Sequence, residues 1–231
     1  MNKLFHTLFN QAVDYNIKNI QVLLEKNSAA VYTDLGCSDG KLTLFFAGRI
    51  GSKKILGVEI MPEFIKKAIQ KGIRAYQADL NGTLPLRSES VDVVTTHQVI
   101  EHLTNSDMFL KEIFRILKPG GYAIISTENA SSWCNILAAL FGWQIFSLTN
   151  FSSLSQGIGN PVSIHRNDPQ KNSGACHVRI YNFYGLKEYL VLSGFSVERI
   201  LGSGYFPFPA WCGRLDPVHA HFITYKIKKP V

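Results

Sequence analysis

The chain has 231 residues, 46% of them apolar and 18% charged. That composition excludes a disordered chain and leaves room for one domain with an insertion, since domains usually run to about 100–200 residues. The formal charge of +7 is scattered apart from Lys226, Lys228 and Lys229, which reads as a solubilising surface, and four separated cysteines (Cys37, Cys134, Cys176, Cys212) offer neither a disulfide framework nor a zinc knuckle.

Residues 2–26 carry Leu4, Phe5, Leu8, Phe9, Ala12, Val13, Ile17 and Ile20 at helical spacing. They predict an amphipathic leader helix that packs on the domain or closes over a site. No continuous apolar core of a signal peptide follows the N-terminus and no run reaches transmembrane length, so a cytoplasmic location is expected.

A first strand over 30–35 reaches the turn Gly36-Cys37-Ser38-Asp39-Gly40, and a helix follows to about residue 50. Glycines let a backbone turn sharply and bring its N–H groups close to a ligand, so this turn is a candidate nucleotide cradle. Gly36-x-Ser38-x-Gly40 also matches the letters of a hydrolase nucleophile elbow with Ser38 as nucleophile, although such an elbow normally follows several strands. A dinucleotide fingerprint would want Gly-x-Gly-x-x-Gly. A second βα unit comes next, from 54–60 through Pro62 into a helix over 63–70. Glu59 stands about 20 residues past the turn, where nucleotide-binding α/β folds place a carboxylate for ribose hydroxyls. A third short strand over 73–78 ends at Asp79-Leu80. On its own residues Asp79 is a loop acid capping a turn with Asn81 and Gly82.

Residues 90–96 form a buried-strand pattern, followed directly by His97-Gln98-Val99-Ile100-Glu101-His102. Thr104 or Ser106 is expected to cap a helix to residue 117, Lys118-Pro119-Gly120-Gly121 to stop it, and residues 122–127 to make the fifth strand. Asp34-Leu35-Gly36-Cys37-Ser38-Asp39-Gly40, Glu59, Asp79 and the Val-Ile-Glu-His to Leu-Lys-Pro-Gly-Gly segment agree in order and spacing with one family. Over residues 30–127 the chain resembles class I S-adenosylmethionine-dependent methyltransferases of the type 11-like group, with Ser38 in place of the middle glycine. The resemblance implies an α/β fold, a Rossmann-like, doubly wound, mostly parallel seven-stranded sheet whose last strand inserts antiparallel. It also implies S-adenosyl-L-methionine as cofactor, held by Asp34, Gly36, Cys37, Ser38, Gly40, Glu59, Ile60, Asp79, Leu80 and His97. In such proteins the acid at position 79 meets the adenine amino group and the backbone of its neighbour supports the ring.

After strand five, residues 128–176 are too long for a simple connection and are expected to form an insertion or lid over the acceptor pocket. Residues 133–146 are apolar enough to predict a helix buried against something, whereas 152–174 are rich in Ser, Gly, Asn and Pro and expected to be mobile. A helix over 185–193, a strand over 195–201, an aromatic and proline-containing loop over 202–211 and a last strand over 220–226 complete the chain. Residues 1–231 thus read as one methyltransferase domain.

Methyl transfer from a sulfonium needs an aligned nucleophile and the exclusion of water, and a base helps when that nucleophile is a hydroxyl. His97, Glu101, His102 and His177 are the catalytic candidates. Val-Ile-Glu-His also resembles the metal-holding segment of ubiquinone-pathway and small-RNA O-methyltransferases. Gln98 stands where those carry an earlier Glu, so no metal is assigned, although His177 could complete such a site. His219 and His221, two residues apart, would share one face of a strand. The acceptor is expected to be a small molecule, apolar or lipid- or glycan-linked. Nucleic acid is disfavoured by the lack of a basic stripe. A serine hydrolase using Ser38 and a non-catalytic cofactor-binding module are the alternatives.

Overall fold

Successive residues of the central strands belong to different cores. In β4 (Val91–His97) Val93 packs on one side and Val94 on the other, and in β5 (Leu117–Glu128) Ile124 and Ile125 divide in the same way. A strand's side chains alternate, so a sheet apolar on both faces must be covered on both. The computed structural model describes residues 2–166, 168 and 176–231, with side chains from residue 5 onward. Its seven-stranded sheet adds β1 (Val31–Leu35), β2 (Lys54–Glu59), β3 (Arg74–Gln77), β6 (Ser196–Ser203) and β7 (Phe222–Lys228), in the order β3-β2-β1-β4-β5-β7-β6. The strands from β3 to β5 pair in parallel, and β7 lies antiparallel between β5 and β6. The expected Rossmann-like, doubly wound topology is therefore present.

Helices α1 (Asn2–Leu23) and α2 (Lys41–Ile50) bring Ile20, Leu23, Phe46 and Ile50 to Tyr32, Val93 and Ile124. On the opposite face α4 (Ser106–Ile116) and α6 (Phe183–Leu192) bury Phe109, Leu110, Ile113 and Leu186 against Leu35, Val94, Ile125 and Ile223. Helix α3 (Pro62–Gln70) starts on Pro62, where a missing N–H costs nothing. The winding changes direction between β1 and β4, and the carboxyl ends there form the edge where open α/β sheets bind ligands.

Three local expectations are corrected. Asn105, not Thr104 or Ser106, caps α4 by accepting from the Met108 amide. The Thr104 hydroxyl instead donates to Asn81, and Ser106 accepts from Arg179. The Lys118–Gly121 run does not merely stop a helix. Leu117 already pairs with Val91, pairing resumes at Tyr122 with Val93, and the four residues between bulge out. The helix expected over 133–146 is α5, Trp133–Leu140, ended before Gly142, whose φ of 69° is left-handed. Its apolar residues are not all buried: Ala138 packs inward, but Leu140 is 76% and Phe141 68% exposed. Part of the 152–174 stretch lies outside the described residues. The described part folds back on the end of α5, with Gln144 N donating to Gly159 O and Asn160 Nδ2 to Gln144 O.

Candidate functional site

Between β1 and α2, Gly36, Ser38 and Gly40 take left-handed φ values of 83°, 47° and 80°. Side chains have no room at the two glycines. A Cβ on Gly36 would lie 2.6 Å from Val99 Cγ2, and one on Gly40 would lie 2.4 Å from Ile73 Cδ1. The Gly36 and Cys37 amides donate to Val58 O, that of Gly40 to Cys37 O, and that of Ser38 to Glu59 Oε2 at 2.9 Å. These four amides thus already have protein acceptors. The cradle offers a glycine surface beside a carboxylate rather than the row of available N–H groups that the sequence suggested.

Glu59 is buried, and its other oxygen accepts from Ile60 N at 2.8 Å and Met61 N at 3.0 Å. It therefore ties the end of β2 to the turn through charge-assisted hydrogen bonds. Ile60 is exposed beside it. Asp79 stands past β3 as a turn acid, with Oδ1 accepting from Asn81 N and Nδ2, while the Leu80 side chain enters the main core. The Cys37 thiol packs with Ala68 and Ile73, and burial pushes its pKa up to about 12. Asp34 lies behind the turn, not on it. Its oxygens accept from Thr43 in α2 at 2.6 Å and from Thr95 in β4 at 2.7 Å. Burial raises its pKa to about 6 despite those two bonds.

His97 ends β4 level with the turn, and its Nε2 lies 3.3 Å from Asn16 Nδ2 of α1. The amide can only donate there, which puts the ring proton on Nδ1. Asn16 is fixed in turn by Ser126 and Thr224, whose hydroxyls donate to its Oδ1. Burial lowers the His97 pKa to about 4, so the ring is neutral near pH 7.

The 3₁₀ turn Ile100–His102 sets Glu101 and His102 beside β5. After the insertion the chain returns with the Val178 and Arg179 amides donating to the Glu101 carbonyl, which brings His177 into edge contact with His102, 4.7 Å between ring centroids. One donor atom from each of Glu101, His102 and His177 lies within 4.8 Å of the others. Both imidazoles direct Nδ1 at a carbonyl, His102 to Cys176 O at 2.9 Å and His177 to Ser147 O at 2.7 Å. A carbonyl can only accept, so each Nδ1 carries a proton and Nε2 is the nitrogen that a neutral ring offers to a ligand. Glu101 is fully buried; Oε2 accepts from Thr127 Oγ1 at 2.8 Å, Oε1 has no partner among the described residues, and burial raises its pKa to about 8. Two imidazole nitrogens and one orphaned carboxylate oxygen, each imidazole oriented from behind, form a donor set that fits a divalent cation.

His177 also lines an apolar cavity of about 150 Å³. Its walls come from α1 (Phe5, Leu8, Phe9), the insertion (Cys134, Phe146, Ile164) and the β6–β7 connection (Tyr205, Phe206, Phe208). The leader helix, expected to pack on the domain or close over a site, lines this cavity together with the insertion; sequence reasoning missed the β6–β7 connection and the Cys134 thiol, whose His221 partner arrives from 87 residues away. His219 and His221 do not act as a pair. His219 bonds Asp216 and stacks on Trp133, while His221 turns to Cys134. Among the described residues no imidazole meets the Ser38 hydroxyl, so the elbow lacks the base that its nucleophile would need.

Residues 33–125 match the family model described as a methyltransferase domain. The rat protein named mitochondrial ubiquinone biosynthesis O-methyltransferase is 28% identical over 77% of this chain and 48% of its own length. A Lactobacillus johnsonii protein named demethylmenaquinone methyltransferase is 33% identical over 52% of each chain. The chain spans about half the length of the curated relatives it matches. A Thermotoga maritima structure titled as an S-adenosylmethionine-dependent methyltransferase superposes with a TM-score of 0.64 at 19% identity, covering 96% of this chain and 91% of that one. The matched segment thus runs from the first strand into the fifth of the 3-2-1-4-5-7-6 sheet, is similar to the methyltransferase-domain family, and lies on the fold of the solved S-adenosylmethionine-dependent methyltransferases.

Proposed function

We propose that the chain transfers a methyl group from S-adenosylmethionine to an oxygen of a small apolar acceptor seated in the cavity between α1, the insertion and the β6–β7 connection. The observation that carries this reading is His177, which both lines that cavity and completes the cluster with Glu101 and His102 at the carboxyl edge of the sheet. The names of the rat and Lactobacillus relatives, both concerned with quinones, support an aromatic, hydroxyl-bearing acceptor.

In this reading the Gly36–Gly40 turn, Glu59, Ile60, Asp79 and the Leu80 backbone bind the cofactor, while Asp34 and the Cys37 side chain hold the turn from behind. His97 stays neutral beside the reacting groups and accepts rather than donates at Nε2. A divalent cation held by Glu101, His102 and His177 would supply positive charge that lowers the pKa of an acceptor hydroxyl. No described helix is long and apolar enough to cross a membrane.

Calorimetry with S-adenosylhomocysteine tests the cofactor half. Binding is expected, with Glu59→Ala weakening it by about 1.5–3 kcal/mol. His177→Ala is expected to leave that affinity nearly unchanged while lowering methyl transfer to a dihydroxyaromatic acceptor. Equal loss of affinity in the His177 variant, or no heat at all with the parent chain, overturns the reading.

A further inference from the structure

Methyl transfer makes no use of the cysteine that faces the acceptor cavity. Cys134 is the second residue of α5, a place where the helix N-terminus favours a negative group. Its Sγ lies 3.3 Å from His221 Nδ1 and 3.2 Å from the Ser132 hydroxyl. His221 is half-buried in ring contact with Phe9 and Phe222, and its other nitrogen, Nε2, has no partner among the described residues. Both Cys134 and His221 line the cavity. Burial alone would raise the thiol and depress the imidazole. Their mutual attraction outweighs it, drawing Cys134 below its ordinary value and raising His221 to about 9. The contrast with Cys37, a thiol packed among aliphatic side chains, is one of environment.

We propose that Cys134 and His221 form a nucleophilic dyad that captures small apolar conjugated carbonyl compounds entering the cavity, a covalent modification site separate from methyl transfer. The aromatic walls select an apolar ring, the thiolate supplies the nucleophile, and the unpartnered Nε2 supplies a hydrogen bond to the carbonyl oxygen. Cys134 Sγ adds to the β-carbon, forming one C–S bond. The π pair of the C=C bond moves onto the carbonyl oxygen as an enolate, which takes the proton from the His221 imidazolium. The adduct keeps every atom of both partners and consumes no oxidant. The dyad rests on the cavity admitting an apolar ligand, not on that ligand being a methyl acceptor, so either reading can fail alone.

The test is labelling of the full chain with N-phenylmaleimide at limiting concentration, with each cysteine followed by peptide mass mapping. Cys134 is expected to react about tenfold or more faster than Cys212, and His221→Gln to slow Cys134 by at least about tenfold because the thiolate loses its cation. S-adenosylhomocysteine affinity should be retained in Cys134→Ser. If His221→Gln fails to fold, the parent chain still decides, because the preference for Cys134 should vanish when the polar reagent iodoacetate replaces the apolar one. Labelling of Cys134 no faster than Cys212, or equal rates with and without His221, overturns the proposal.

Discussion

At the residue scale, two ionisable side chains on the central strands, Asp34 of β1 and His97 of β4, titrate in opposite senses. Asp34 has a folded pKa of about 6 against an ordinary 3.8, so the native state holds a proton that the unfolded chain has released. Its contribution is fully present below pH 3.8 and is lost as pH rises through 6. His97 has a folded pKa of about 4 against 6.5, so its contribution is present above 6.5 and is lost as pH falls through 4. Each shift corresponds to something on the order of 3 kcal/mol, at about 1.36 kcal/mol per unit. Relative to the parent, Asp34→Asn should gain stability as pH rises from 4 to 6, and His97→Gln should gain it as pH falls from 6.5 to 4. Urea midpoints at pH 4.5 and 6.5 check both signs; parallel profiles for the two variants would show that neither group is as buried as described.

At the element scale, the strand–turn–helix of residues 31–50 was legible because its signals are local: an apolar strand, glycines where φ must be positive, then a helical period. The cap of α4 was not, because Thr104 and Ser106 are equally good caps in isolation and were drawn off by Asn81 and Arg179, partners far away in the chain. The same holds for α1, whose amphipathic pattern predicted packing but not the Asn16 link to His97, Ser126 and Thr224. Asn16→Ala removes both donor and acceptor from that buried junction and should cost about 1–3 kcal/mol. An unchanged urea midpoint would mean that the helix is held by its apolar face alone. In the turn, Gly36→Ala should destabilise by more than about 1 kcal/mol and abolish cofactor binding, because it meets both a left-handed φ and Val99. Val99→Ala in the same chain should restore only the steric part, which paired melting curves would resolve.

At the scale of the whole molecule, the cavity draws its walls from three segments that no local pattern connects: α1, the insertion and the β6–β7 connection. Sequence reasoning laid out the glycine turn and the carboxylate after β2, where spacing within one βαβ frame carries the information, whereas the cavity depends on contacts between distant segments. Glu101, His102 and His177 show the divide within one cluster. The first two are neighbours on a turn, and the third arrives because the Glu101 carbonyl holds the returning backbone. An apolar ligand in the cavity should therefore slow hydrogen exchange at residues 5–12 and 145–150 together. Protection confined to one of the two segments would break the cavity into separate surfaces.

The returning backbone has a further consequence. Asn129 and Tyr181 form a bridge, and Ala130 N donates to Tyr181 O, so the chain leaves the sheet and comes back at one point. The entropic cost of closing such an excursion grows only logarithmically with its length. Residues between the two anchors can therefore be lengthened, shortened or exchanged with little strain on the sheet, provided that a histidine returns beside Glu101 and His102. That part of the cavity wall is in this sense a replaceable cassette: one excursion can be rewritten while the strands, the glycine turn and Glu59 stay as they are.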